Sequence, residues 1–159
     1  MQNRSNEELA MRALIVPELR KRYPGARIIH ELPLRYSTNR IDLAAVTASE
    51  IVSVEIKSSR DVMDRLDAQV RGFLPISDKV IVALAPKWNE RLPLQPREID
   101  HPRWGRHTSY VQPYTETQTL LRGIGDPAIE TWTVDAEAGT TEVTDRAYGR
   151  PLPWLARML

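Results

Sequence analysis

Three ionisable residues, Asp42, Glu55 and Lys57, lie in two short segments that alternation predicts to be neighbouring strands. The segments span 40–46 and 51–57, and the link between them is short enough for a hairpin. Side chains two apart on a strand face the same way, so Glu55 and Lys57 share a face, and antiparallel pairing brings Asp42 close to them. Two acids and a lysine are costly to hold together on a core-like hairpin unless something binds them.

These residue types suit a hard divalent cation. Mg²⁺ prefers oxygen ligands and keeps several waters, so Asp42, Glu55 and the backbone carbonyl of Ile56 would suffice beside a substrate phosphate. The ion would lower the pKa of a water and neutralise a scissile phosphate, while Lys57 would position the attacking water or stabilise the phosphorane. An exposed salt-bridged strand pair would explain Glu55 and Lys57 alone, but Asp42 in a core-like strand favours the metal site.

Composition is that of an ordinary soluble domain with a real core: 159 residues, 42% hydrophobic and 27% charged. A net charge of +1 gives no global polybasic field, although the first quarter is basic and 126–145 is acidic. The absence of cysteine excludes disulfides and thiolate metal sites, and the three histidines lack a zinc spacing. No apolar run approaches the roughly 20 residues of a membrane span, and the N-terminus lacks a signal-peptide core, so we expect a cytoplasmic protein without a membrane partner.

Periodicity predicts an α/β fold with a mixed sheet flanked by helices. Ser5 and Glu8 form a capping box for a first helix, which Pro17 should kink or restart near Glu18. A strand at 26–34 then precedes the two motif strands.

Serines and Asp61 within 58–61 are candidate caps for a second helix. Its apolar stripe would comprise Val62, Leu66, Val70 and Phe73. The continuous apolar run at 79–85 predicts a strand buried on both faces, in parallel pairing. The order over 5–85 is therefore helix, three strands, helix, strand.

The core would occupy 1–86, and 87–159 would be a C-terminal extension packed on the same domain. Regular patterning fails from 86 to about 107, where Trp88 and Trp104 are interpreted as plugs that cover the sheet or the second half of the protein. The arginines of this loop suit phosphate contacts and surface charge equally: Arg91, Arg97, Arg103 and Arg106.

The remaining pattern predicts a helix at 116–124 and paired strands at 129–134 and 140–144. The apolar tail at 153–159 predicts a short helical turn, which could cap a core or form a homodimer interface.

Asp42, then Glu55-Ile56-Lys57 after a short hairpin, then a helix bearing Gln69 and a buried strand, resembles the PD-(D/E)XK nuclease superfamily. The residues around these positions are most similar to small stand-alone bacterial members such as the MmcB-like DNA-repair group. The resemblance covers about the first half of the chain and implies a restriction-endonuclease-like core of order α-β-β-β-α-β. It also implies Mg²⁺ or Mn²⁺ as cofactor and DNA as partner.

The resemblance carries further residues into the expected site. Gln69 would support the nucleophilic water or DNA, and a third acid would be Glu31, with Glu18 as its competitor and Glu8 explained by capping. Candidate nucleic-acid contacts are Arg40, Ser58 and Arg65, although Ser58 also suits a helix cap and Arg65 a surface charge.

The expected activity is therefore that of a metal-dependent DNA endonuclease or nuclease of DNA repair or recombination. Asp42 and Glu55 would hold Mg²⁺, and Lys57 would position water. The alternative is a nuclease-like fold that serves as a non-catalytic nucleic-acid-binding or protein-interaction module. Action on RNA, and a homodimer, stay open.

Overall fold

The computed structural model describes residues 5–35 and 38–145. These residues form a six-stranded mixed sheet, three helices and a separate two-stranded ribbon. In chain order the elements are α1 (Asn6–Arg22), β1 (Arg27–Pro33), β2 (Arg40–Val46), β3 (Ile51–Lys57), α2 (Leu66–Phe73), β4 (Lys79–Leu84), β5 (Gln95–His101), β6 (Gly105–Val111), α3 (Glu116–Ile124), β7 (Ile129–Asp135) and β8 (Thr140–Asp145). Short 3-10 turns lie at Leu74–Ile76 and Pro86–Trp88. The predicted α/β class, mixed sheet and helix flanks are confirmed.

The sheet has the strand order β1-β2-β3-β4-β7-β8. Strands β1, β2 and β3 run antiparallel in sequence, β4 is parallel to both β3 and β7, and β8 is antiparallel to β7. The prediction of a doubly buried parallel strand is confirmed, since Val80 to Leu84 are all buried. Because β7 pairs with β4, the second half of the described chain completes the same sheet that the first half begins.

The sheet buries apolar side chains on both faces. One face packs against α1, where Met11, Ile15 and Leu19 contact the side chains of β3 and β4. The other face packs against α2 and α3 through Val70, Leu121 and their neighbours. Of the described helices, none is long and apolar enough to cross a membrane.

Helix α1 begins as predicted, because the Ser5 hydroxyl oxygen accepts the Glu8 backbone N–H at 3.1 Å. Pro17 does not end it, and the helix continues to Arg22. Proline removes one intrahelical donor, but Ile15 and Leu19, buried on either side of it, tie the helix to the sheet.

Helix α2 begins at Leu66, four residues later than its predicted stripe, and Val62 is 63% exposed. The predicted helix caps are wrong. Ser58 donates its N–H and hydroxyl to Asp61, both at 2.7 Å, and the Ser59 N–H donates to Glu7 at 3.0 Å. These local bonds satisfy the backbone in a turn and so compete with helix formation.

The C-terminal predictions for α3, β7 and β8 are confirmed, and Gly139 at a φ of 69° makes the turn between the two strands. The prediction of an irregular 86–107 is wrong, because β5 and β6 pair in register from Gln95↔Val111 to His101↔Gly105. Their residues are mostly exposed, so no buried face imposes an apolar alternation that periodicity could detect. The predicted tail turn at 153–159 lies outside the described residues.

The buried carboxylate of Glu130 on β7 anchors the edge of the fold away from the site. It accepts from Arg22 at 3.2 Å, Lys79 at 3.3 Å and the Trp132 indole at 2.5 Å. Burial acts to raise the pKa of Glu130, but the Arg22 and Trp132 hydrogen bonds and the two positive charges outweigh it and lower the pKa.

We expect Glu130→Gln to lower the free energy of unfolding at pH 7 by about 2 kcal/mol, less than a fully buried pair because both cations reach solvent. A depressed carboxyl pKa stabilises the fold above the unfolded value of 4.5 and stops doing so as the pH falls through the folded value. In urea unfolding, the difference in free energy of unfolding between wild type and Glu130→Gln should therefore narrow below about pH 4.5. Substitution of the exposed Glu142 by Gln serves as the control. A difference independent of pH would contradict this account.

Candidate active site

A cleft of about 1120 Å³ opens beside the end of β3, between α1, β1, β2 and α2. Its walls contain acids, amides and cations from elements far apart in sequence. All the residues predicted for the site line it: Glu31, Arg40, Asp42, Glu55, Ile56, Lys57, Ser58, Arg65 and Gln69. The structure therefore brings together residues that sequence reasoning assigned one by one.

Glu55, Lys57 and Gln69 form a closed triangle of hydrogen bonds. The Lys57 Nζ lies 3.0 Å from Glu55 Oε1 and donates to Gln69 Oε1 at 2.9 Å, and Gln69 Nε2 donates to Glu55 Oε1 at 2.6 Å. Glu55 is 2% exposed and Lys57 is 5% exposed. Alternation on β3 sets the two charged residues on one face, and α2 lays Gln69 across them.

Asp42 occupies the point where β2 leaves β3. Ladder pairing between the strands ends at Leu43↔Val54, one residue before Asp42. Beyond that point the Ile56 N–H donates to the Asp42 carboxylate instead of to a backbone carbonyl of β2, with Asp42 Oδ2 accepting at 2.9 Å. The side chain is thereby held at the end of the hairpin, beside Glu55 and Lys57.

The neighbouring strand is distorted at the same level. Pairs His30↔Leu43 and Leu32↔Ile41 flank a position where Glu31 and Asp42 do not pair, and Glu31 has a φ of 57°. A left-handed non-glycine residue costs on the order of 1 kcal/mol or more. Strict alternation, which predicted β2, would put Ile41, Leu43 and Ala45 on one face. That prediction is wrong here, because Ile41 packs on the α2 side and Leu43 on the α1 side.

Arg12 is a site residue that sequence reasoning missed. It is 4% exposed, and its Nη2 donates to Glu8 at 2.8 Å, to Glu31 at 2.6 Å and to Asp42 Oδ1 at 3.4 Å. Its Nη1 also donates to the Asp42 backbone carbonyl at 2.7 Å. The i,i+4 spacing of Glu8 and Arg12 was a visible signal for their pairing, but nothing local predicted the contacts across the sheet.

Glu8, Glu31 and Asp42 each place a carboxylate oxygen within 4.8 Å of the others. The interpretation of Glu8 as only a capping residue is wrong, since its backbone binds Ser5 while its carboxylate joins this cluster. Glu18 is not among the cleft residues. Its negative charge instead helps to raise the pKa of Arg22, near the other end of α1. Glu31 is thus the predicted third acid that lies beside Asp42.

Burial dominates the electrostatics of the two carboxylates. Desolvation, reinforced by the charge of Asp42, raises the pKa of Glu55 to about 8 against the opposing effects of Lys57 and Gln69. Desolvation also raises the pKa of Asp42 to about 6, although the Ile56 N–H and Arg12 act to lower it. Both acids therefore stay protonated to a higher pH than an ordinary carboxyl group does. This is expected of carboxylates gathered where a cation would stabilise their charge.

The donor set fits a hard divalent cation. Glu55 Oε2 is buried and has no hydrogen-bond partner within the described part of the chain. An unsatisfied buried carboxylate oxygen is costly unless a ligand satisfies it. With Asp42 close by and carboxylate oxygens as the available donors, Mg²⁺ or Mn²⁺ matches the chemistry of the position.

The three predicted nucleic-acid contacts differ in what they offer. Arg65 is exposed and caps α2 without a side-chain bond, and Arg40 pairs with Glu31 while nearly half of its side chain stays exposed. Ser58 is buried and its hydroxyl donates to Asp61, so it shapes the loop at the cleft wall.

Comparison with known families matches residues 1–93 to the family described as bacteriophage P4 protein cII. The chain belongs to this family. The matched segment runs from the N-terminus past β4 and contains each of the predicted site residues. No curated protein and no solved structure matches the chain significantly.

Proposed function

We propose that the protein is a Mg²⁺- or Mn²⁺-dependent DNA nuclease with a restriction-endonuclease-like core. The observation that carries the proposal is the buried Glu55 carboxylate, which keeps one oxygen without a partner in a cleft shared with Asp42 and Lys57. The observed order α1-β1-β2-β3-α2-β4 agrees with the PD-(D/E)XK resemblance and supports this reading.

Asp42, Glu55 and the Ile56 carbonyl would hold the cation, with Glu31 close to Asp42. When bound, it supplies a water of lowered pKa and neutralises charge on the scissile phosphate. The chain itself contributes orientation, since the Ile56 N–H and Arg12 fix the Asp42 carboxylate and Gln69 fixes Glu55.

Lys57 acts beside the carboxylates. An ammonium has three donors, and in the described structure two of them meet Glu55 and Gln69. The third can hold a water for attack or stabilise the charge that develops on a phosphate oxygen. Burial keeps this ammonium in a low-dielectric site, where its interaction with a developing negative charge is stronger than in water.

One observation favours the non-catalytic alternative. Arg12 places a guanidinium among Glu8, Glu31 and Asp42, and so supplies there part of the positive charge that a cation would bring. A module that binds nucleic acid without cutting it would keep this ion-pair cluster permanently closed.

Cleavage of plasmid and branched DNA distinguishes the two. We expect wild-type cutting with Mg²⁺ or Mn²⁺ that chelation abolishes, and a loss of at least about 100-fold in Asp42→Asn and Glu55→Gln because each removes a charged oxygen ligand. Glu18→Gln, on the same helix as Arg12 but away from the cleft, serves as the control and should cut normally. Absence of cutting on every DNA tested, with DNA binding retained, would favour the binding module.

A further inference from the structure

The ribbon formed by β5 and β6 takes no part in the proposed chemistry. Its strands pair only with each other in the described sheets, and most of its residues are exposed. At about 3.4 Å per residue, seven-residue strands extend the ribbon roughly 20 Å. A two-stranded ribbon that packs on little else is marginally stable by itself, and its exposed side chains are accessible to a ligand.

The chain that leads toward the ribbon is anchored at the wall of the cleft. The Ala85 N–H donates to the Lys57 carbonyl at 2.8 Å, and the Trp88 indole donates to the Ser58 carbonyl at 2.8 Å. Asn89 then binds Thr133 and Thr144, both at 2.7 Å, which ties the departing chain to β7 and β8. The prediction that Trp88 is a plug is confirmed, because it packs against both core clusters.

The far end of the ribbon presents Trp104, which is 71% exposed, so the prediction that it is a plug is wrong. Its ring stacks on His101 with centroids 4.3 Å apart and an angle of 17° between the planes. Gly105, at a φ of 68°, closes the turn that holds this arrangement. The indole thus has one face supported by His101 and stands in solvent, where an unpaired base can stack on it.

Charge is segregated between the two faces of the ribbon. Alternation and register put Arg97, His101 and His107 on one face, which contains no acid. Both acids of the ribbon lie on the other face, where Glu98 accepts from Thr108 and Asp100 lies opposite Arg106. The acid-free face continues into the turn with Arg103 and Trp104.

We propose that this acid-free face, Arg97, His101, Arg103, Trp104 and His107, binds a single-stranded segment of DNA. The arginines contact phosphates and Trp104 stacks on an unpaired base, an arrangement that duplex DNA cannot satisfy because its bases are already stacked. The choice of DNA rests on the proposed function. It deepens that function, since it assigns the substrate as DNA with an unpaired branch or end.

Fluorescence anisotropy with a labelled single-stranded oligonucleotide and its duplex, both in EDTA, tests the assignment without cleavage. We expect Trp104→Ala to weaken single-strand binding about tenfold and duplex binding much less. The pair Arg97→Ala/Arg103→Ala should weaken both and reduce the slope of log K against log salt by roughly 1.4 on the single strand. Arg106→Ala, on the acidic face, is the matched control and should bind like wild type.

Three results would overturn the assignment. The first is that all variants bind as wild type does, and the second is that Trp104→Ala weakens single-strand and duplex binding equally. The third is that the matching RNA binds more tightly than the DNA. Thermal unfolding of each variant separates a binding loss from a folding loss. The assay needs no cation. If the variants bind as expected but the protein does not cut DNA, the nuclease proposal alone is contradicted. If the protein cuts DNA but the variants bind like wild type, the ribbon assignment alone is contradicted.

Discussion

Replacement of Lys57 by methionine is expected to slow metal-dependent DNA cleavage by about 100- to 1000-fold. Methionine keeps the length and the apolar stem but removes the ammonium that contacts Glu55 and Gln69. The carboxylates proposed to bind the cation remain, so divalent-cation stabilisation should be largely kept when thermal unfolding is measured at pH 8.5, where more of Glu55 is ionised. This split between rate and cation binding identifies a group that acts on the reaction rather than on the cation.

Lys79→Met is the matched control for that experiment. Lys79 begins β4 and pairs with Val52 of β3, at the other end of the β3–β4 ladder from Lys57. It contacts Glu130 rather than the cleft. Its removal should leave the cleavage rate unchanged. A cleavage rate of Lys57→Met within a few-fold of wild type would contradict the role assigned to the ammonium.

Removal of the Arg12 side chain in Arg12→Ala is expected to lower the free energy of unfolding by about 3 kcal/mol in metal-free buffer. The substitution leaves Glu8, Glu31 and Asp42 near one another without the guanidinium that neutralises them. The three carboxylates are about one-fifth exposed, so the expected loss of unfolding free energy lies at the low end of the range for breaking a buried ion pair.

Mn²⁺ should then stabilise Arg12→Ala more than it stabilises wild type, because the cation takes over the charge that Arg12 supplied. At a concentration 100 times the dissociation constant, a bound ligand adds about 2.7 kcal/mol. Urea unfolding with and without Mn²⁺ measures both effects, and Arg20→Ala, an exposed arginine on the same helix, controls for loss of charge. Equal Mn²⁺ stabilisation of variant and wild type would show that Arg12 does not compete with a cation.

The elements that the sequence predicted well are those whose pattern reports burial directly. The continuous apolar run of β4, the alternation of β3 and the capping signal of α1 each depend on neighbours a few residues away. The ribbon and the late start of α2 escaped prediction for the converse reason. Exposed strands impose no apolar period, and the bonds of Ser58 and Ser59 to carboxylates override a helical pattern that is otherwise complete.

The candidate site divides in the same way. The sequence alone determined that Glu55 and Lys57 share a face, because a strand repeats every two residues, and that Asp42 lies across a short hairpin from them. Only the tertiary structure decided that Arg12 closes the acidic cluster and that Glu31 adopts a left-handed conformation opposite Asp42. Contacts between a helix and strands 19 and 30 residues away depend on how the helix packs on the sheet, and no local pattern records that packing.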